Sequence, residues 1–248
     1  MEANTETLNF TQSEKLLYQQ FRKKINSEAA HAQIRKLEYD LADVKAGFNF
    51  LKTACADANA LGLGGFCVLP AFVRQCATLL GAERKTELVA CIDAPNGGGV
   101  TDIKVKAVKR AIKDGADGVE VAAPIAHVRD GGYAYVRKEF KKLRSAAKHK
   151  SLRIDLFCTL LTKEEIKRTC LLAADCGVNS IKLSGGSCAE WLADVKSAVK
   201  DKCTIKSEGI ATVIEMSGSI DMGATIIGSK NAADVARAIL TAADAEGI

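Results

Sequence analysis

Short apolar runs alternate with amphipathic stretches along most of the chain. Eight of these runs have the length and composition of buried strands, and they cover residues 37–44, 64–70, 88–94, 118–124, 152–159, 179–184, 203–209 and 224–229. They recur at intervals of roughly 20 to 35 residues, the length of a βα unit. The alternation predicts a parallel sheet, and eight units predict a closed (β/α)8 barrel, the TIM barrel.

The gaps between the runs carry the three-to-four-residue spacing of helices. This spacing is clearest over residues 103–114, 133–148, 163–176, 188–200 and 231–243. A doubly wound open sheet is the alternative fold for such an alternation. That fold usually has a GxGxxG loop after its first strand, and no such loop follows the first run here. We therefore expect the closed barrel.

Residues 10–35 precede the repeating part and have the pattern of one helix. Leu16, Leu17, Phe21 and Ile25 fall on one face of it, with polar residues between them. We expect an N-terminal helical extension over residues 1–36 and a barrel domain over residues 37–248. The extension would pack across one end of the barrel or form a contact between copies of the chain.

The bulk composition is that of a soluble globular protein. The chain has 248 residues, of which 48% are hydrophobic and 26% charged, and it is long enough for one large barrel or two small domains. The net charge of +5 is spread along the sequence, so we expect no nucleic-acid partner. A mild positive charge suits a small anionic substrate.

The cysteines and histidines give no metal-binding pattern. There are nine scattered cysteines without a CxxC pair, which is typical of reduced thiols in a cytoplasmic protein. His31, His127 and His149 are far apart in sequence, so we expect no metal and no cofactor. Residues 1–21 lack the apolar core of a signal peptide, and no apolar run approaches the ~18 residues of a membrane span. We therefore expect no membrane partner.

Two lysines and a glutamate are predicted to point into the barrel. In strand six, Ile181 and Leu183 should face the helices, so Lys182 points inward by period-two alternation. The same alternation turns Lys206 inward on strand seven and Glu120 inward on strand four. Active sites of this fold lie at the carboxyl ends of the strands, and we expect the three side chains to meet there. Alternatively, each lysine lies at a strand end and reaches solvent.

A pair of buried lysines suggests amine chemistry. A free lysine has a pKa near ~10.4, and a second ammonium about 5 Å away should lower that pKa by about 2. We therefore expect Lys206 to keep Lys182 uncharged, so that Lys182 can form a Schiff base with an aldehyde. Glu120, with a nearby water, would move protons during the reaction.

Small residues after the last three strands predict a phosphate site, because glycines and helix N-termini offer backbone N–H groups to anions. The candidates are Gly185, Gly186 and Ser187 after strand six, Gly209 after strand seven, and Gly228, Ser229 and Lys230 after strand eight. The predicted ligand is a phosphorylated small-molecule aldehyde or sugar.

Several segments resemble motifs of the deoxyribose-phosphate aldolase family. Residues 181–186 (IKLSGG) resemble the strand-six motif IKTSTG, and residues 205–212 (IKSEGIAT) resemble the strand-seven motif KPAGGIRT. Further similar segments are residues 39–41 with the strand-one aspartate, residues 66–70 (FCVLP), residues 117–121 (DGVEV) and residues 152–165. The similarity extends over most of the chain, about residues 37–240.

The resemblance implies a metal-free class I aldolase that forms a homodimer or higher homo-oligomer. It would cleave 2-deoxyribose 5-phosphate to glyceraldehyde 3-phosphate and acetaldehyde. It implies that Lys182 forms the Schiff base, that Lys206 perturbs it, and that Asp40, Cys67 and Ser184 lie against the substrate.

The chain also departs from the family pattern. Glu120 replaces the usual aspartate, Phe157 replaces a glutamate, and Ala211 replaces an arginine in a strand-seven loop that is one residue shorter. These departures motivate an alternative function, an aldolase-like barrel with weak or no turnover that acts as a binding or scaffolding protein.

Overall fold

Eight parallel strands pair in chain order, and the eighth pairs with the first to close a barrel. The computed structural model describes residues 11–22, 25–43, 45–186 and 189–244. The strands are β1 (Leu37–Leu41), β2 (Gly65–Val68), β3 (Glu87–Ile92), β4 (Gly118–Ala122), β5 (Ser151–Phe157), β6 (Ser180–Ser184), β7 (Thr204–Ser207) and β8 (Ile226–Ser229). Each overlaps one predicted run, so the predicted TIM barrel is confirmed.

Every strand of the barrel is followed by at least one helix. The helices of the described part are α1 (Gln12–Arg22), α2 (Ser27–Ile34), α3 (Phe48–Leu61), α4 (Val73–Leu80), α5 (Thr101–Lys113), α6 (Ile125–Arg129), α7 (Tyr133–Ala147), α8 (Lys163–Asp175), α9 (Ala189–Val199), α10 (Val213–Asp221) and α11 (Ala232–Asp244). The five predicted helices are confirmed as α5, α7, α8, α9 and α11. The pattern missed α3, α4, α6 and α10.

The N-terminal region is helical, as the pattern predicted, and it forms the two helices α1 and α2. Asn26 is the N-cap residue of α2 and has an extended backbone (φ −102°, ψ 176°). Its side-chain oxygen accepts a hydrogen bond from the Ala29 N–H. Asparagine favours such a cap position over a helix interior. Ile25 is 2% exposed at the break, α2 packs on α11, and α1 contacts α10.

The two faces of the strands have different environments. Outward side chains such as Ile181 and Leu183 are fully buried against the helices, as the alternation predicted. The inward face instead holds a group of buried charged side chains, namely Glu38, Asp40, Glu120, Arg153, Asp155, Lys182 and Lys206. Because buried charges are costly unless they are paired, their arrangement determines what the barrel interior can do.

Two further observations bear on the class of protein. In the part of the chain that the structure describes, no helix has both the length and the apolar composition needed to cross a bilayer. The eight cysteines described there are free thiols, all of them buried. The ninth, Cys188, lies outside the described residues.

Candidate active site

The structure brings Lys182, Lys206 and Glu120 together inside the barrel. The two lysines are register partners on β6 and β7. The Lys182 Nζ lies 2.9 Å from Glu120 Oε1, and the Lys206 Nζ lies 3.1 Å from Glu120 Oε2. Both ammonium groups also contact Asp40 Oδ2, at 3.4 Å from Lys182 and 2.7 Å from Lys206. The two amines therefore share one carboxylate-lined pocket and do not point to separate surfaces.

Arg153 and Glu38 are hydrogen-bonded to this group of charged side chains, and neither residue was predicted to belong to the site. The Arg153 Nη1 donates to Glu38 Oε1 at 2.9 Å and to Glu120 Oε2 at 2.8 Å. Lys206 also donates to Glu38. The sequence did contain a signal for Arg153, because it alternates with the outward Leu152 and Ile154 of β5.

Two more carboxylates approach Lys182 from neighbouring strands and were also missed. Asp155, the register partner of Lys182 on β5, places Oδ2 at 3.6 Å from Nζ. Glu208, just beyond β7, places Oε1 at 3.4 Å from the same nitrogen. Ser184 donates its hydroxyl to Asp155 Oδ1. Lys182 is thus surrounded by four carboxylates, those of Asp40, Glu120, Asp155 and Glu208.

These carboxylates overturn the expectation that Lys182 is held uncharged by Lys206. Burial lowers the pKa of Lys182, but the attraction of Glu120, Asp40 and Asp155 outweighs burial and holds that pKa well above its usual value. The pKa of Lys206 is likewise raised, because Asp40, Glu120 and Glu38 outweigh burial and the repulsion of Lys182. The surrounding carboxylates therefore favour the protonated form of both amines.

The acidic groups of the pocket fall into two classes. Burial raises the pKa of Glu120, but Lys182, Lys206 and Arg153 outweigh it and hold that pKa well below its ordinary value. For Asp155, burial dominates over the attraction of Lys182 and raises the pKa to about 7. Burial also raises the pKa of Glu208. Asp155 can therefore exchange protons near neutral pH, and the shift of Glu208 is in the same direction.

Two adjoining cavities open at the carboxyl ends of the strands. The smaller, about 640 Å³, has Lys182, Asp155 and Ser184 in its wall. The larger, about 910 Å³, is lined by residues that follow β6, β7 and β8, Gly186 and Gly209 among them. Asp40, Phe157, Glu208 and Lys230 line both cavities, so the two adjoin at these side chains.

The predicted phosphate-site residues that the structure describes lie around the larger cavity. Several of them, however, pack against, hydrogen-bond to or form an ion pair with other residues of the chain. Gly185, Gly186, Gly209 and Gly228 are in its wall. A Cβ on Gly228 would lie 2.6 Å from Lys206 Cε, so this glycine makes room for the lysine. The buried Ser229 accepts from the Asn231 N–H, and Lys230 is paired with Asp43 at 2.6 Å. Ser187 lies outside the described residues.

Cys67 lies beside the charged group, away from the walls of both cavities. It is fully buried, and a hydrogen bond with Cys91 together with burial raises the pKa of its thiol well above the ordinary value. Ligand atoms of Cys67, Glu38 and Glu120 lie within 4.8 Å of one another, a spacing that a metal ion could use. Both carboxylates are, however, already paired with Arg153.

A third buried lysine, Lys104, lines the smaller cavity, but its amine is fully engaged. Its Nζ donates to the Gly97 and Ala122 carbonyls and to Glu139 Oε1 at 2.8 Å. These bonds hold the loop after β3 against β4. Among the described lysines in the cavity walls, Lys182 therefore has the position from which an amine can reach a carbonyl.

Comparisons with known proteins relate the chain to a family of aldolases. No family model matches the chain. The deoxyribose-phosphate aldolase of Clostridium botulinum (strain ATCC 19397 / Type A) is 32% identical over 181 residues, covering 70% of this chain and 84% of the relative. That of Finegoldia magna is 30% identical over 205 residues, covering 79% and 94%. The chain belongs to the deoxyribose-phosphate aldolase family.

A solved structure of the deoxyribose phosphate aldolase from Aeropyrum pernix, described as tetrameric, shares the fold. It superposes with a TM-score of 0.75 at 18% identity and covers 91% of this chain and 97% of its own. The sequence relatives establish the chain as an aldolase, a lyase of the deoxyribose-phosphate aldolase type. The predicted resemblance to this family is thereby confirmed.

Proposed function

We propose that the protein is a class I aldolase whose Schiff base forms on Lys182. The observation that carries this proposal is a buried lysine in the middle of β6, in a cavity wall and within 3.6 Å of four carboxylates. The unprotonated amine would attack the aldehyde carbon, and loss of water from the carbinolamine would leave an iminium. The hydroxyl on the third carbon would then lose its proton, and the bond between the second and third carbons would break, which releases one aldehyde and leaves an enamine on Lys182. The enamine would take up a proton at carbon, and water would hydrolyse the resulting iminium to acetaldehyde and free lysine.

The raised pKa of Lys182 means that its proton must leave before the attack. Asp155 and Glu208 are suitable acceptors, because each lies within 3.6 Å of Nζ and burial raises the pKa of each. An aldehyde that enters the smaller cavity also displaces water and weakens the stabilisation of the charged amine. Lys206 then acts as a positioning residue, since it holds Asp40, Glu38 and Glu120 by hydrogen bonds.

We propose Asp155 as the group that moves protons during bond cleavage. Glu120 already accepts hydrogen bonds from Lys182, Lys206 and Arg153, and its low pKa keeps it ionised at neutral pH. Asp155 reaches the same cavity, and its pKa of about 7 allows it to accept a proton from a substrate hydroxyl and return it to the enamine carbon. Ser184 orients the carboxylate by its hydrogen bond.

The pH profile of cleavage follows from the raised pKa of Asp155. Below pH 7 this carboxyl is protonated and cannot accept the hydroxyl proton, so kcat/KM should rise as the pH increases through about 7. Asp155→Asn should lose this rise and lower kcat/KM above pH 7 by ~10²-fold or more. The measurement is kcat/KM for aldol cleavage in both proteins at pH values from about 5.5 to about 9, a range that extends to both sides of the Asp155 pKa of about 7.

Glu120→Gln serves as the comparison for that profile. If Glu120 rather than Asp155 moves the proton, the rise near pH 7 would persist in Asp155→Asn and vanish in Glu120→Gln. Such a result would contradict the assignment. The unfolding transition of each variant should be recorded first, because both side chains are buried.

Trapping with borohydride tests the proposed function itself. Acetaldehyde and borohydride should convert one lysine to N-ethyl-lysine, through loss of water and addition of hydride, and peptide mass mapping should place it at Lys182. The first substrate to assay is 2-deoxyribose 5-phosphate, with glyceraldehyde 3-phosphate and acetaldehyde as products. A protein that forms no adduct would instead favour the binding or scaffolding alternative.

A cytoplasmic location and a homo-oligomeric state belong to this proposal as well. The buried free thiols support the first, and the tetramer described for the Aeropyrum pernix aldolase supports the second. Sedimentation of the purified chain would test the oligomeric state.

A further inference from the structure

The loop between β3 and α5 forms part of the wall of the smaller cavity. Asp93, Ala94, Pro95 and Gly99 of this loop line the cavity, and Lys182 lies in another wall of it, three strands away on β6. The loop therefore helps to shape the space that an aldehyde must enter to reach the amine.

The backbone of this loop needs contacts from outside to keep one shape. Residues 97–99 are all glycines, whose backbone conformation is the least restricted. Asp93 has φ +61°, in the left-handed region that a residue with a Cβ adopts only at a cost. Gly97 also has a positive φ, and a Cβ on it would collide with the Ala123 carbonyl just beyond β4.

The buried ammonium of Lys104, on α5, supplies these contacts. Its Nζ donates to the Gly97 carbonyl at 2.8 Å and lies 3.3 Å from Asp93 Oδ2, the oxygen that also accepts from the Gly99 N–H at 2.8 Å. The same Nζ donates to Glu139 Oε1 on α7 at 2.8 Å. One ion pair between two helices therefore holds both ends of the glycine segment.

We propose that Lys104 and Glu139 are positioning residues, which fix the loop over residues 93–99 and thereby set the affinity of the smaller cavity for aldehydes. This inference rests on the aldolase function proposed above and adds two residues to its site. Each side chain belongs to a residue that is 1% exposed. A buried ion pair is often no more stabilising than apolar side chains of the same volume, so its effect on the position of the loop accounts for it better than stability does.

The pair is separate from the groups that carry out the chemistry. In the parts of the chain that the structure describes, the polar partners of Lys104 belong to the loop, to β4 and to α7. None of them is among the four carboxylates around Lys182. Loss of the pair should therefore weaken the binding of an aldehyde and leave the attack by Lys182 intact.

The double variant Lys104→Met with Glu139→Met tests this role, because it removes both charges and keeps most of the buried volume. Borohydride trapping of acetaldehyde would be measured over a range of aldehyde concentrations. We expect the concentration for half-maximal trapping to rise by ~10-fold, while the maximal rate stays within about twofold of the unmodified protein. Hydrogen exchange in the peptide over residues 93–99 should quicken by ~10-fold or more, because the N–H groups of Gly97 and Gly99 lose their fixed partner Asp93.

Lys142→Met with Asp102→Asn is the matched control. This pair also joins α7 to α5, but at the surface, where the two side chains are 44% and 77% exposed. Both trapping parameters should equal those of the unmodified protein. A half-maximal concentration in the buried-pair variant within about twofold of the unmodified protein would overturn the inference, as would a maximal rate that falls by ~10-fold with that concentration unchanged.

Asp93→Asn gives an answer if the double variant does not unfold cooperatively. Asparagine can still accept from Gly99 and tolerates a left-handed backbone, but it loses the ion pair with Lys104 at a side chain that is 28% exposed. The half-maximal concentration should then rise by ~3-fold, and an unchanged value would overturn the inference. Failure of the unmodified protein to trap acetaldehyde on Lys182 would instead reject the aldolase mechanism itself.

Discussion

Replacing Lys182 by glutamine is expected to abolish the borohydride-trapped adduct and to lower kcat/KM for aldol cleavage by at least ~10³-fold. Glutamine keeps most of the length of the side chain and can still donate to Glu120, but it has no amine to bond to an aldehyde. The other buried lysine in the cavity wall, Lys104, cannot replace it, because its Nζ is held by two carbonyls and Glu139. Mass mapping after trapping, together with steady-state kinetics, measures both effects.

Two other lysines serve as comparisons for that variant. Lys206→Gln alters the adjacent strand but leaves the amine of Lys182 in place, so an adduct should still form, at a reduced rate. Lys202→Gln changes a side chain that is 60% exposed and paired with Asp175, and its kinetics should equal those of the unmodified protein. An adduct of undiminished yield in Lys182→Gln would show that another lysine forms the Schiff base.

Much of the fold could be predicted because the alternation of inward and outward side chains in a barrel strand can be seen within a few consecutive residues. The alternation in β6, with Ile181 and Leu183 outward, fixed both the strand and the direction of Lys182. The helices that were missed have weaker patterns. The buried face of α3 includes the small residues Ala54 and Ala58, and α10 contains Gly218, so their periodicity is less distinct than that of α5 or α11.

The candidate site was predicted only in part, for a different physical reason. Alternation placed Lys182, Lys206 and Glu120 on the inward face, but their pKa values depend on every charge that packs against them. A pairwise estimate with two lysines alone gave the wrong sign for the shift in the pKa of Lys182, because it left out the attraction of Glu120, Asp40, Asp155 and Glu208. Such distances are a property of the closed barrel and cannot be obtained from spacing along the chain.

The same charge balance makes Arg153 a key residue for stability. It is 1% exposed, and its guanidinium pairs with Glu38 and Glu120, each within 2.9 Å. Arg153→Met keeps the apolar volume but leaves the two carboxylates with less positive charge in a pocket closed to water. We expect the free energy of unfolding to fall by ~3 to 5 kcal/mol, measured by urea denaturation at neutral pH. Arg237→Met, at a pair with Asp57 where the arginine is 52% exposed, should lose at most ~1 kcal/mol.

A second substitution separates this electrostatic loss from a loss of packing. Glu38 has one carboxylate oxygen without a hydrogen-bond partner, and its other oxygen is shared by Arg153 and Lys206. If the buried charge is the cause, Glu38→Gln added to Arg153→Met should recover at least ~1 kcal/mol, because it removes the excess negative charge. If packing is the cause, the second substitution should add its own loss to the first. A double variant less stable than Arg153→Met would therefore contradict the charge-balance account, and it would mean that the interior of this barrel tolerates unpaired carboxylates better than their burial implies.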